Sequence, residues 1–238
     1  HRLDFAMRLF PHSRTAVEKC YQRYFDAPFQ SGPHDDEKVG DEFYHHSIRP
    51  LITAWIRGRD HEICPDLTWA TGQIAFKEQI EWCRQKCAEG LQQWGTLLEE
   101  YKRALDRLEG RERRFFRDNL ITGAMLHYSG CKGVIAFCES YNAFQRNNLP
   151  LAFLLASQAL WAYQEGVAAM EQAEHGKWKN FYVSDWTNNV RMTIYSLDTL
   201  RRYIRALGDN ERFTAWSNDF AWRIKGDQKI QYKPMTDD

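Results

Sequence analysis

Residues 87–108 read CAEGLQQWGTLLEEYKRALDRL. Within them Cys87, Leu91, Trp94, Leu98, Tyr101, Leu105 and Leu108 recur at alternating steps of four and three, a rhythm that keeps one face of a helix turned to a neighbour. The rhythm resumes at Phe116, Leu120, Gly123, His127, Gly130, Val134, Phe137, Tyr141 and Phe144. Gly110 separates the two series, so the spacing predicts two long antiparallel helices folded about that glycine.

Working outward, the first of these helices extends back to Asp66 or Thr68, supported by Glu99 one turn before Arg103, and the second runs over 111–146. Asn147 and Asn148 turn the chain ahead of Pro150, which suits a first helical turn, and a third long helix occupies 151–174. A fourth, capped by Ser184 or Asp185, carries Val190, Ile194, Leu197, Leu200, Ile204 and Leu207 at core spacing and stops at Gly208. Shorter helices are expected over about 13–26, capped by Ser13, over 41–57 with a kink at Pro50, and over 210–223. Sustained alternation of apolar and polar residues is missing, so no strand is expected. The expected fold is all-α: an up-down bundle of four long helices over 66–223, short N-terminal helices (1–65) packed against it, and a polar tail (224–238).

Lys plus Arg and Asp plus Glu are equal at 32 each, which leaves no global field to attract nucleic acid or anionic membrane. The basic group Arg111, Arg113, Arg114 and Arg117 alternates with Glu112 and Asp118 and reads as a solvated helix start. The most apolar run, Leu149 to Tyr163, contains Gln158 and is shorter than the roughly 20 residues a membrane span needs; it reads as a buried helix. The chain opens at His1 with no leader pattern, as a processed or excised segment would. Six cysteines at 20, 64, 83, 87, 131 and 138 lack the dense spacing of a disulfide-stapled domain, and are expected to be mostly reduced and buried.

A di-metal site in a bundle requires Glu-x-x-His motifs and further inward carboxylates; only Glu42 to His45 fits, outside the four long helices. Zinc ligation by His61, Cys64, Cys83 and Cys87, with His45 and His46 nearby, has plausible spacing, yet Cys87 lies on the apolar seam, where a thiol packs as a small hydrophobe. His127 and Cys131 are one turn apart, but neither an orienting acid nor an oxyanion site accompanies them. No cofactor, metal or catalytic residue is assigned from these patterns.

One connection differs from the others. Residues 175–189, HGKWKNFYVSDWTNN, place aromatic rings, amides and a carboxylate between the third and fourth long helices. Nine Trp, eleven Tyr and fourteen Phe make aromatic content the compositional outlier, so some rings are available beyond those that the core requires. Flat rings stack on the apolar face of a pyranose, and Asn and Asp side chains bind its hydroxyls. Trp178, Tyr182, Asp185, Trp186 and Asn189 are therefore the candidate contacts to a glycan or to a neighbouring domain. The competing expectation is that Trp178, Phe181 and Trp186 plug the end of the bundle while Asp185 caps a helix.

Gly176-Lys177-Trp178, Phe181-Tyr182, Asp185 and the helix end Tyr203-Ile204-Arg205-Ala206-Leu207-Gly208-Asp209 resemble the helical region that follows the catalytic barrel of large bacterial glycoside hydrolases. The α-glucuronidases of family 115, in which Gly-Lys-Trp also follows a long helix, are the named family that the segment resembles; Asp4 to Phe25 is similar to the opening of such regions. After Trp178 the chain departs from that family, with Phe181-Tyr182-Val183-Ser184-Asp185 replacing a Met, Asp and Gln run. The resemblance implies a helical accessory domain of a related polysaccharide-degrading enzyme, with its catalytic domain upstream in the same polypeptide and its catalytic residues outside this chain. It also implies a periplasmic or secreted location, where composition alone favours a reducing one. The alternatives are a free-standing helical protein-interaction domain and a zinc-stabilised helical protein.

Overall fold

The long amphipathic run ahead of Gly110 does not begin as one helix. A computed structural model describes residues 8–11, 13–28, 43–183 and 190–208, without the side chains of 43–47. Short helical turns occupy Pro65–Leu67 and Thr68–Thr71 and stop at Gly72, whose φ of 69° lies in the left-handed region that favours glycine. The long helix restarts only at Phe76. There the Glu78 carboxylate accepts the Ala75 backbone N–H at 2.9 Å, although Ala75 has no side-chain oxygen to reciprocate.

We number the helices α1 (Arg14–Phe25), α2 (Phe43–Ile56), α3 (Thr68–Thr71), α4 (Phe76–Leu105), α5 (Gly110–Phe116), α6 (Thr122–Gln145), α7 (Leu149–Ala173) and α8 (Val190–Gly208). All regular elements among the described residues are helical. Between α5 and α6 the chain makes one wide π turn, Arg117–Ile121, so the expected single helix over 111–146 is two helices joined by a π-bulge. Asn148 caps α7 by accepting the Leu151 backbone N–H at 3.2 Å. Ser13, in contrast, occupies the cap position of α1 without a side-chain bond. Glu99 pairs with Lys102 at 2.9 Å, not with the Arg103 side chain, whose Nε donates to the Glu99 carbonyl. α2 continues through Pro50. The expected loop near 30–40, the helix near 210–223 and the polar tail lie outside the described residues.

The seam is formed as its spacing predicts. Cys87, Trp94, Leu98 and Tyr101 of α4 are buried, as are His127, Val134, Phe137 and Tyr141 of α6, and these two helices pack together. The most extensive contact is nonetheless α6 with α7, where small residues let backbones approach closely. α8 packs on α7 and on α2. Ile48, Leu51, Ile52 and Trp55 of α2 are fully buried, so this helix belongs to the same core as the long ones. At the end of the α8 core series the expectation fails: Leu207 is 45 % exposed on the last turn of α8. The run Leu149 to Tyr163 is likewise only half as buried as expected, because Leu151, Leu154 and Trp161 face outward from α7.

Gly133 shows how close the α6–α7 approach is. A Cβ there would lie 2.4 Å from Cε2 of Tyr163, a ring that is itself fully buried. Alanine in place of a helical glycine gains about 1 kcal/mol of propensity, whereas displacing a packed ring costs about 1–3 kcal/mol or more. Gly133→Ala is therefore expected to destabilise the protein by about 1 kcal/mol net in urea unfolding. An equal or higher midpoint would show that the Tyr163 ring moves freely.

Candidate functional site

The aromatic connection leaves α7 through Glu174 and His175 and folds into consecutive tight turns. Trp178, Lys179, Phe181 and Val183 donate backbone N–H groups to the carbonyls of His175, Gly176, Trp178 and Asn180 at 3.0–3.3 Å. Gly176 and Asn180 take left-handed backbone conformations, with φ of 56° and 62°, conformations that glycine and asparagine tolerate best. The Glu174 carboxylate clamps the result: its two oxygens accept the backbone N–H groups of Tyr182 at 2.7 Å and Asn180 at 3.1 Å. Charge-assisted bonds of this kind are the stronger class, so the loop is held by one side chain from the end of α7.

That clamp determines where the rings go. Trp178 is 50 % exposed and Phe181 58 %, with centroids 5.3 Å apart and planes at 90°. Tyr182 stands edge-on to Phe181 at 5.0 Å and packs on the hydrophobic core. Lys177 holds its ammonium 5.1 Å from the Trp178 ring centre. Trp178 and Phe181, two of the rings named as plugs, are open to solvent, while Tyr182, a candidate contact, packs on the core. Trp178 and Phe181 meet as a corner, with one ring as wall and the other as floor. Asp185, Trp186 and Asn189 lie outside the described residues.

A second anchor joins the loop to the π turn. His175 Nε2 lies 2.5 Å from the Asp118 carboxylate, which also accepts from Nε and Nη2 of Arg117 at 2.9 and 2.7 Å. The Asp118 side chain retains 13 % exposure, which corrects its reading as part of a solvated helix start. Thr122 at the end of the π turn places its hydroxyl within reach of the carbonyls of Arg117 and Ala169, 3.3 and 3.4 Å away. The wider turn thus fixes Asp118 beside α7, and π-bulges are often found where a side chain must be aimed. Asp118 and Glu174 carried no sequence signal for these roles, since Asp118 finds its partner 57 residues away.

The other candidates separate in space or in chemistry. His61 is exposed, whereas Cys64, Cys83 and Cys87 are buried, and no group of His, Cys, Asp and Glu suited to a metal ion occurs among the described residues. Burial pushes the Cys83 thiol up to about 12 and the Cys87 and Cys138 thiols well above their ordinary value, the behaviour of packed, unreactive sulfur. His127 stacks on Trp94 at 4.2 Å with planes 11° apart and is buried, as a core histidine. Glu42 and the side chains of His45 and His46 are not described. No described helix is long and apolar enough to cross a membrane. No protein-family model, no curated protein and no solved structure matches the chain.

Proposed function

We propose that this chain is a non-catalytic accessory domain of a polysaccharide-degrading glycoside hydrolase, in which an up-down scaffold of long helices presents an aromatic loop to a glycan. The catalytic domain of the same polypeptide would then supply the reacting carboxylates. One observation carries the reading: Trp178 and Phe181 remain half exposed on a loop whose backbone is fixed by Glu174 and whose root is tied through His175 to Asp118. A solvent-facing ring costs apolar exposure, and rigid support reduces the ordering cost of binding. Stacking a pyranose on Trp178 while its edge meets Phe181 covers both rings, and Lys177 and Asn180 are adjacent donors for hydroxyl groups.

The test is a tryptophan-fluorescence titration with cellohexaose, xylohexaose and maltohexaose. At least one should change the emission, and Trp178→Ala should weaken that binding about tenfold, as the loss of one stacking ring implies. Because the ring is half exposed, the unfolding midpoint should hold. A large fall in midpoint would make the ring structural, and silence from all three sugars would overturn the glycan reading.

A further inference from the structure

The outer side of α7 carries an apolar strip with a definite end. Leu151, Leu154 and Trp161 are 36, 46 and 50 % exposed, and with the exposed Gln158 they follow steps of three and four along one helix face. One turn beyond Trp161 that face becomes ionic, where Glu165 pairs with Lys132 of α6 at 2.8 Å. From Leu151 to Trp161 the strip is about 15 Å long at 1.5 Å per residue. The chain leaves α8 where the strip begins. α7 and α8 are antiparallel: Arg191 pairs with Glu171 at 2.9 Å, the Arg201 guanidinium lies 5.8 Å from the Phe153 ring centre, and a Cβ on Gly208 would lie 3.5 Å from the Leu149 Cβ. Leu207, in the last turn of α8, is 45 % exposed at that same end.

We propose that the α7 strip is a docking face for the chain's own residues 213–224, which turn back after Gly208 and lay Phe213, Trp216, Phe220 and Ile224 along Leu151, Leu154 and Trp161. Residues 209–224 read DNERFTAWSNDFAWRI and lie outside the described residues. Their sequence supplies the matching half. Phe213, Trp216, Phe220 and Ile224 follow steps of three, four and four, the spacing of one helical face. As a helix, the stretch from Phe213 to Ile224 measures about 17 Å, close to the length of the strip. Residues 209–212 remain as the connection, within the two to eight or so that usually join packed helices. A second copy of the chain is the weaker occupant. Three half-exposed side chains offer no more than about 300 Å², short of the roughly 800 Å² per partner of a stable interface. A segment tethered at Gly208 needs no such area, because its high effective concentration replaces part of the binding energy.

Hydrogen exchange on the full chain tests this, in wild type, Leu154→Asp and Trp216→Asp. In wild type the amides of residues 214–224 should exchange at least about 100-fold more slowly than in an unstructured peptide. Leu154 is half exposed on the described surface, so aspartate there should leave the protection of α4 intact while cutting that of 214–224 at least about tenfold. Trp216→Asp should have the same effect and should also raise hydroxyl-radical oxidation of Trp161. Free exchange over 214–224 in wild type would overturn the docking, as would protection that Leu154→Asp leaves unmoved. Unchanged oxidation of Trp161 in Trp216→Asp would do the same even if Leu154→Asp disturbed the core. Protection that rises with protein concentration would assign the strip to a second copy and overturn the tethered segment.

Discussion

Acidification from pH 7 to pH 4 is expected to remove about 3 kcal/mol of stability through His127 alone. Burial lowers its pKa from 6.5 to about 3 in the folded protein. The unfolded chain therefore takes up a proton near pH 6.5 that the folded chain refuses until about pH 3. Stability from this residue is present above the unfolded value and is lost as pH falls, by about 1.4 kcal/mol per pH unit once the unfolded imidazole is charged. The stacked Trp94 ring opposes the loss. The His127 ring lies flat on Trp94 at 4.2 Å, and an imidazolium in that position would gain cation–π attraction. Such contacts reach about 2 kcal/mol when desolvated, less than the several kcal/mol that taking a charge out of water costs, so desolvation wins. Other carboxylates titrate in the same range, which makes the difference between wild type and His127→Phe the quantity to measure. Wild type should lose about 3 kcal/mol relative to the variant between pH 7 and pH 4, in urea midpoints taken at half-unit steps. Parallel curves would mean that the imidazole is accessible to protons in the folded state.

The position of His127 was legible in the chain, and so was much of the core around it, because a four-three rhythm is a local property. Cys87, Trp94, Leu98 and Tyr101 could be assigned to one face without knowing what they meet. What covers a face is not local. The apolar residues of α2 were equally visible, but nothing in their spacing says that Ile48 and Trp55 pack with α8 and α6 in preference to an end of the molecule. The break at Gly72 did have a signal. A glycine inside a helical pattern, followed by Glu78 three residues after Ala75, is a stop followed by a start, and the length of the run obscured it. At the candidate site the aromatic composition marked the loop but not which rings face out: Trp178 and Phe181 are exposed, whereas Tyr182 packs on the core. The groups that hold it were invisible, since Glu174 bonds backbone and Asp118 reaches His175 from a π turn that no residue pattern announces. Outward-facing Leu151, Leu154 and Trp161 were missed for a related reason: an apolar run has no periodicity from which to read an exposed side.

Gln79→Met is expected to destabilise the protein by about 3 kcal/mol, at about 1 kcal/mol for each of three lost hydrogen bonds. Gln79 is fully buried on α4 and uses its whole amide. Its Oε1 accepts the Cys64 backbone N–H at 2.9 Å, and its Nε2 lies 3.1 Å from both the Cys64 carbonyl and Thr71 Oγ1. This one side chain ties the connection between α2 and α4 to the long helix, in a stretch held otherwise by short turns. The losses are unequal. The Cys64 carbonyl still receives the Leu67 N–H at 3.2 Å and Thr71 still donates to the Leu67 carbonyl at 3.0 Å, whereas the Cys64 N–H loses its side-chain acceptor inside the core. Methionine nearly matches glutamine in shape and fills the same volume, so the substitution removes polarity and keeps packing. Gln79→Ala adds a cavity to the same loss and should cost more. Hydrogen exchange at the Cys64 amide, slow in wild type, should accelerate sharply in both variants. Were Gln79→Met to retain wild-type stability and slow exchange at Cys64, Gln79 would matter only as volume, and the loop would owe its position to the burial of Cys64 and Leu67.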